Sequence, residues 1–203
     1  MTTEEVQFFD KLAVTWDNDE ILSTPEKIRG ILSLIGIQEG MSVLDLGTGT
    51  GVLIPYLSTM VSDKGNVVAL DISEGMLRRA IEKYSHLKNV SFIKKDFENE
   101  EIEGKYDLIM LYCVYPHLHF PEQTLKKLVS SNLKAGGRII IAFPSDENFI
   151  NNIHKDRKAE SDLLPSATSL SHQLNEWGLS SSVIKYDDGH YVVEIESPLL
   201  NNN

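Results

Sequence analysis

The sequence predicts an α/β fold, an open and mostly parallel sheet with helices on both faces. Three observations carry this. Short apolar runs rich in Val, Ile and Leu recur along the chain, as buried parallel strands do. Helical patterns separate them, which is the rhythm of a strand–helix–strand sheet. Near the C-terminus two strand-like runs flank Asp188-Gly189, a hairpin signal that closes the sheet with antiparallel pairing.

In chain order, the N-terminal ~35 residues read as helices. The clearest is "TPEKIRGILSLIG" (24–36), with Thr24 as cap and Pro25 at the first helical position. "MSVLDLG" (41–47) is the first strand, and "GVLIPYLSTMV" (51–61) a helix whose Pro55 must fall near its first turn. "NVVALD" (66–71) is the second strand. "SEGMLRRAIEKYS" (73–85) is a helix capped by Ser73, with apolar residues at 76, 77, 80 and 81 on one face. "NVSFIKKD" (89–96) and "YDLIMLY" (106–112) are strands. "PEQTLKKLVSSNL" (121–133) is a helix that stops before "KAGG", and "GRIIIAF" (137–143) is a strand. The long segment 144–167 begins as a helix capped by Ser145, with Asp146 and Glu147 in its first turn and Lys155, Arg157 and Lys158 in its last. Ile150, Ile153 and His154 share one face of it, so His154 points inward. The hairpin occupies 181–197.

Composition limits the partners. The chain has 203 residues, enough for one domain with a full core. Its 19 Lys plus Arg against 30 Asp plus Glu give a net charge of −11. That argues against nucleic acid, whose binding leans on cations at phosphates, and suits a small or cationic ligand. Cys113 is the single cysteine, so neither a disulfide framework nor a thiolate metal cage is expected. The N-terminus lacks a signal-peptide pattern and no apolar run approaches a membrane span, so a cytoplasmic protein is expected.

The chemistry centres on "VLDLGTGTG" (43–51). A glycine-rich turn between a strand end and a helix start lies where open α/β sheets bind ligands. Dinucleotides want G-x-G-x-x-G, but here Gly47, Gly49 and Gly51 alternate and Val52 stands where the third dinucleotide glycine belongs. Asp45 just before the loop would repel a pyrophosphate and attract a positively charged ligand. S-adenosylmethionine, with a sulfonium, an amino group and no phosphate, is such a ligand. Asp71, ending the second strand, can accept from both ribose hydroxyls. Asp96 can accept from the adenine amino group, between Phe97 and Met76 as apolar walls. Thr48, Ile72, Tyr112 and Trp16 complete the candidate cofactor set, Trp16 as a cover.

In these motifs the chain resembles class I S-adenosylmethionine-dependent methyltransferases over most of its length. "VLDLGTGTG", "VVALDIS", "FIKKDFE", "YDLIMLYCVY" and "LKAGGRIIIAF" stand in that family's order and spacing. "FFDKLAVTWDN" (8–18) resembles the start of quinone-type and related small-molecule enzymes, where a helix folds over the cofactor. The resemblance implies a Rossmann-like, seven-stranded sheet with an antiparallel last strand. It implies a helical cap over 1–38, a cofactor-binding core over 39–143, and an acceptor-side segment with the hairpin over 144–203. It also implies that Gly47, Gly49 and Gly51 line the methionine part, that Asp71 holds the ribose, and that S-adenosylhomocysteine leaves as product. "YPHL", Asn151 to His154, Leu164-Pro165, Asp187 and Tyr191 resemble an uncharacterised bacterial branch, whose typical histidine after strand five is replaced here by Phe143 and Pro144. With that part missing, no metal is expected.

In this fold the acceptor enters over the end of the fourth strand, here "LYCVYPHLHFPE" (111–122). His117 is the first candidate base, since imidazole exchanges protons near neutral pH. His119 is weaker, and Tyr115 and His154 join His117 as candidate catalytic groups. The chain lacks the Asn/Asp-Pro-Pro-aromatic of amino-methylating nucleic-acid enzymes, the cysteines of arsenite enzymes and the paired glutamates of protein-arginine enzymes. A small-molecule acceptor remains, with a monomer or homodimer both open. Two other readings predict different ligands or activity: a non-catalytic S-adenosylmethionine-binding sensor or partner subunit, and an NAD-binding oxidoreductase, which Asp45 and Val52 disfavour.

Overall fold

A computed structural model describes residues 1–18, 24–156 and 163–198. Seven strands form one sheet: β1 (Ser42–Leu46), β2 (Asn66–Asp71), β3 (Val90–Lys94), β4 (Tyr106–Tyr112), β5 (Leu133–Phe143), β6 (Ser180–Asp187) and β7 (His190–Glu196). Their order is β3-β2-β1-β4-β5-β7-β6. The pairs β3-β2, β2-β1, β1-β4 and β4-β5 are parallel, and β7 runs antiparallel to both β5 and β6. The helices are α1 (Thr3–Leu12), α2 (Pro25–Ile35), α3 (Ile54–Val61), α4 (Glu74–Tyr84), α5 (Pro121–Lys127), α6 (Glu147–Asp156) and α7 (Ala167–Glu176).

The central strands are buried on both faces, and the two-residue period splits them between two cores. Leu44, Leu46, Ile109, Leu111, Ile139 and Ile141 join a core with Leu125 of α5 and Leu170 and Leu174 of α7. Val43, Leu108, Met110, Ile140 and Ala142 join the other, with Ile28, Ile31 and Leu32 of α2 and Leu57 of α3. Asp45 lies on the Val43 side of β1, where an apolar residue would continue the pattern. The sheet thus holds one buried carboxylate at the end of its central strand.

Local signals set most boundaries. Thr24 accepts from Lys27 N, and Gly36 in the left-handed region ends α2. Ser73 accepts from Met76 N and starts α4. Other boundaries differ from the sequence expectation. The glycine loop delays α3 to Ile54, with Pro55 in its first turn. The helix expected over 121–133 is α-helical only to Lys127, then widens to a π-turn over Leu128–Asn132. There Ser130 Oγ donates to the carbonyls of Lys126 and Lys127, competing with the helical ladder. The fifth strand starts at Leu133 and absorbs "KAGG" as an irregularity opposite Tyr106 and Leu108. For α6 the cap is Asp146, not Ser145. Asp146 Oδ1 accepts from Phe149 N at 2.8 Å, while the Ser145 hydroxyl donates to the carbonyl of Asp188. Arg157 and Lys158 lie outside the described residues.

Candidate active site

A cavity opens at the carboxyl ends of β1, β2, β3 and β4, under an N-terminal strap made of α1 and a 3-10 turn, Trp16–Asn18. The glycine loop forms its floor. Gly47 N and Thr48 N both donate to the Leu70 carbonyl, at 2.8 and 2.9 Å, which pins the loop to the end of β2. Gly49 N donates to Asp71 Oδ2 at 2.7 Å. A Cβ on Gly49 would meet nothing within 4 Å, so this part of the loop faces open space with bare backbone. Gly51 does something else. A Cβ there would stand 2.8 Å from Ile54 Cδ1 and 3.0 Å from the Tyr84 ring, so this glycine lets α3 and α4 pack, away from the cavity wall.

Two carboxylates define the electrostatics. Asp45 Oδ2 accepts from Thr48 Oγ1 at 2.6 Å, and Asp71 Oδ1 accepts from Ser73 N at 2.8 Å. Burial pushes the Asp45 carboxyl up to about 7; the Thr48 hydrogen bond opposes this and the neighbouring Asp71 adds to it. Burial likewise pushes Asp71 up to about 6, against hydrogen bonds from the Ser73, Gly49 and Ile72 amides. Two buried acids that repel one another favour a cationic occupant, which lets both ionise.

The cavity brings together most of the residues singled out from the sequence. Asp45, Gly47, Thr48 and Gly49 line it from the loop, and Asp71, Ile72 and Met76 from the second strand and α4. Phe97, Tyr112, His117 and Trp16 complete the wall. Five candidates lie outside the lining. One is Gly51, for the packing reason above. Asp96 is turned into its own loop, accepting from Glu98 N at 3.1 Å and Asn99 Nδ2 at 2.8 Å. Tyr115 is buried in the sheet core, and burial pushes its hydroxyl up to about 12. His154 stands behind His117, with ring centroids 5.3 Å apart. His119 also faces away, pairing with Glu5 at 3.0 Å.

Sequence reasoning missed several wall residues. Phe9 stands edge-on to both Trp16 and His117, at 5.9 and 5.4 Å. The string "FFDKLAVTWDN" carried that signal, but only Trp16 was drawn from it. Cys113 and Val114 line the cavity, and Cys113 holds a left-handed φ of 58° at the end of β4. Nothing in an isolated cysteine announces such a conformation. Among the described residues no three His, Cys, Asp or Glu side chains come together to hold a metal ion.

A methyltransferase-domain family model matches residues 37–194. The chain belongs to the methyltransferase domain family. A crystal structure of an S-adenosylmethionine-dependent methyltransferase from Aquifex aeolicus superposes with a TM-score of 0.68 at 28% identity, covering 97% of this chain and 98% of that one. The DhpI-SAM-HEP complex shares the fold, with a TM-score of 0.72 at 20% identity and coverage of 96% of each chain. Among curated relatives, putative methyltransferase 235L of Invertebrate iridescent virus 6 is 30% identical over 131 residues, which is 63% of this chain and 48% of that protein. The ubiquinone/menaquinone biosynthesis C-methyltransferase UbiE of Yersinia enterocolitica is 34% identical over 110 residues, 52% of this chain and 43% of that protein. The chain spans about half the length of such curated relatives.

This is a class I methyltransferase, and its Aquifex aeolicus neighbour is one that depends on S-adenosylmethionine. The cavity fits that group on its own chemistry: a bare-backbone cradle at Gly49, two buried acids for a cation, and apolar walls from Met76 and Phe97. The observed sheet order, with β7 antiparallel, matches the sheet the sequence resemblance implied. No helix among the described residues is long and apolar enough to cross a membrane.

Proposed function

We propose that this methyltransferase methylates a small-molecule acceptor that enters beside Tyr112 to Leu118, with His117 as the base. The observation that supports it most is that His117 shares one cavity with Asp45 and Asp71, and its ring is held between Phe9 and His154. When bound, the cofactor supplies an activated methyl group on a sulfonium whose departure leaves a neutral thioether.

The chain's own residues do the rest. Asp71, held by the Gly49 and Ser73 amides, would accept from the ribose hydroxyls. Asp45, oriented by Thr48, offers negative charge to the methionine end. Met76 and Phe97 would flank the adenine, and Phe9 and Trp16 would exclude water from above. From the cavity wall His117 would take the proton of a protonated acceptor atom during transfer. Holding donor and acceptor in line supplies much of the acceleration.

The test is S-adenosylhomocysteine release across a panel of small acceptors, compared between the native chain and His117→Ala. Release that depends on acceptor and on His117 supports the reading. Cofactor binding without release for any acceptor points to the non-catalytic sensor.

A further inference from the structure

The N-terminal strap closes the cavity with little apolar anchoring. Phe9 and Trp16 line the cavity, yet α1 contains no fully buried residue. An element with few buried apolar contacts detaches at much lower cost than the whole fold. Besides the Met1 amino group on Glu98 and Arg79 on the Val14 carbonyl, the strap is held by carboxylates aimed at the loops that build the cofactor site.

Asp10 Oδ1 accepts from Ser73 Oγ at 2.6 Å and from Gly75 N at 2.8 Å. Ser73 N in turn donates to Asp71 Oδ1, so Asp10 reaches the ribose-side acid through one residue. The approach is close. A Cβ on Gly75 would stand 2.9 Å from the Asp10 carbonyl oxygen and 3.0 Å from Asp10 Cα. Asp17 does the corresponding job on the other loop. Its Oδ1 accepts from Thr50 Oγ1 at 2.5 Å, and its Oδ2 pairs with Lys83 Nζ at 2.9 Å. Thr50 is fully buried inside the glycine loop and lines the cavity. A third tether, Glu5 to His119, reaches the segment after β4.

We propose that Asp10 and Asp17 are positioning residues that latch the strap onto the two cofactor-binding loops, so that cofactor exchange runs through release of these latches. Each loop shares a hydrogen-bonded contact with the strap, so occupancy of the cavity and docking of the strap reinforce each other, reciprocally. The inference rests on the cofactor assignment and not on the identity of the acceptor or the role of His117.

The experiment is a chase of bound, tritiated S-adenosylmethionine with excess unlabelled cofactor, on the native chain and on Asp10→Ala, Asp17→Ala and Asp10→Asn. Retention of label by the native chain is the control that separates this proposal from the cofactor assignment itself. The dissociation rate rises about tenfold in each alanine variant, which corresponds to about 1.4 kcal/mol of lost latch. Asp10→Asn recovers most of the native rate, because its amide oxygen still accepts from Ser73 and Gly75. A residue that only stabilises the fold would lower the unfolding midpoint of the ligand-free protein without this selective change in residence time. Dissociation within twofold of native in both alanine variants overturns the proposal, and so does an Asp10→Asn variant as fast as Asp10→Ala. Should the variants fail to fold, hydrogen exchange on the native chain decides. Amides of residues 3–18 slow on adding S-adenosylhomocysteine if the strap is latched by occupancy, and an unchanged rate there overturns it.

Discussion

His117 and His154 pack ring against ring at the edge of the cavity, their planes tilted by 48° with centroids 5.3 Å apart. His117 reaches the cavity and His154 stands behind it, so the two play unequal parts. His117→Ala lowers kcat by about 10²–10³ while leaving the cofactor Kd within about threefold, the usual size of a lost general base. His154→Phe keeps a ring in place and lowers kcat by about tenfold or less. Steady-state rates with calorimetric cofactor binding check both, and equal losses would show that His154 itself touches the acceptor.

Asp45 sets opposite pH trends for the empty and the filled protein. Its folded-state pKa lies above the unfolded value, so between about pH 4 and about pH 7 the native chain binds more protons than the unfolded one. This group's contribution therefore makes the ligand-free protein less stable as pH rises through that window. Asp71, pushed up to about 6, acts in the same direction. A cationic cofactor favours the ionised carboxylates, so affinity rises as pH passes through about 6 to 7, by roughly twenty- to a hundredfold from pH 5.5 to pH 7.5. Asp45→Asn raises the melting temperature of the ligand-free protein at pH 7.5 and weakens cofactor binding. Melting curves at several pH values, with and without S-adenosylhomocysteine, test the sign.

Gly49 and Gly51 give contrasting outcomes on substitution. Gly49→Ala meets no neighbour, costs roughly 1–2 kcal/mol for its left-handed backbone, and fills the cradle, so cofactor binding is lost from a folded protein. Gly51→Ala drives a methyl into Ile54 and Tyr84 and destabilises the fold by about 2–3 kcal/mol. The fraction that folds binds cofactor nearly as the native chain does. Urea unfolding paired with titration distinguishes the two.

Tyr115 and Asp96 serve as negative controls. Tyr115→Phe leaves kcat within about twofold, because the hydroxyl sits in the core and away from the cavity. Asp96→Ala costs about 1 kcal/mol through its loop hydrogen bonds and changes cofactor Kd less than fivefold. A hundredfold rise in Kd for Asp96→Ala would instead restore its role at the adenine.

The strand and helix plan was legible because burial on both faces writes itself as Val, Ile and Leu runs, and because Thr24 and Ser73 cap with their own side chains. Asp45, Asp71 and the glycine loop were legible for a similar reason: their partners sit a few residues away or at the end of the adjacent strand. What stayed hidden depends on direction and on distance along the chain. Asp96 stands at the expected place but points into its own turn. Asp146 outcompetes the adjacent Ser145 because a hairpin carbonyl engages that serine. Asp10 and Asp17 find partners 65 and 33 residues away, and no local pattern encodes that.

The strap also fixes an order of events during synthesis. It leaves the ribosome before its anchor points, which lie later in the chain at Thr50, Ser73, Gly75 and finally His119. Until those partners have emerged and folded, the strap lacks its docking sites and Phe9 and Trp16 stay in water. Any chaperone or protease that reads exposed aromatics has that interval in which to act.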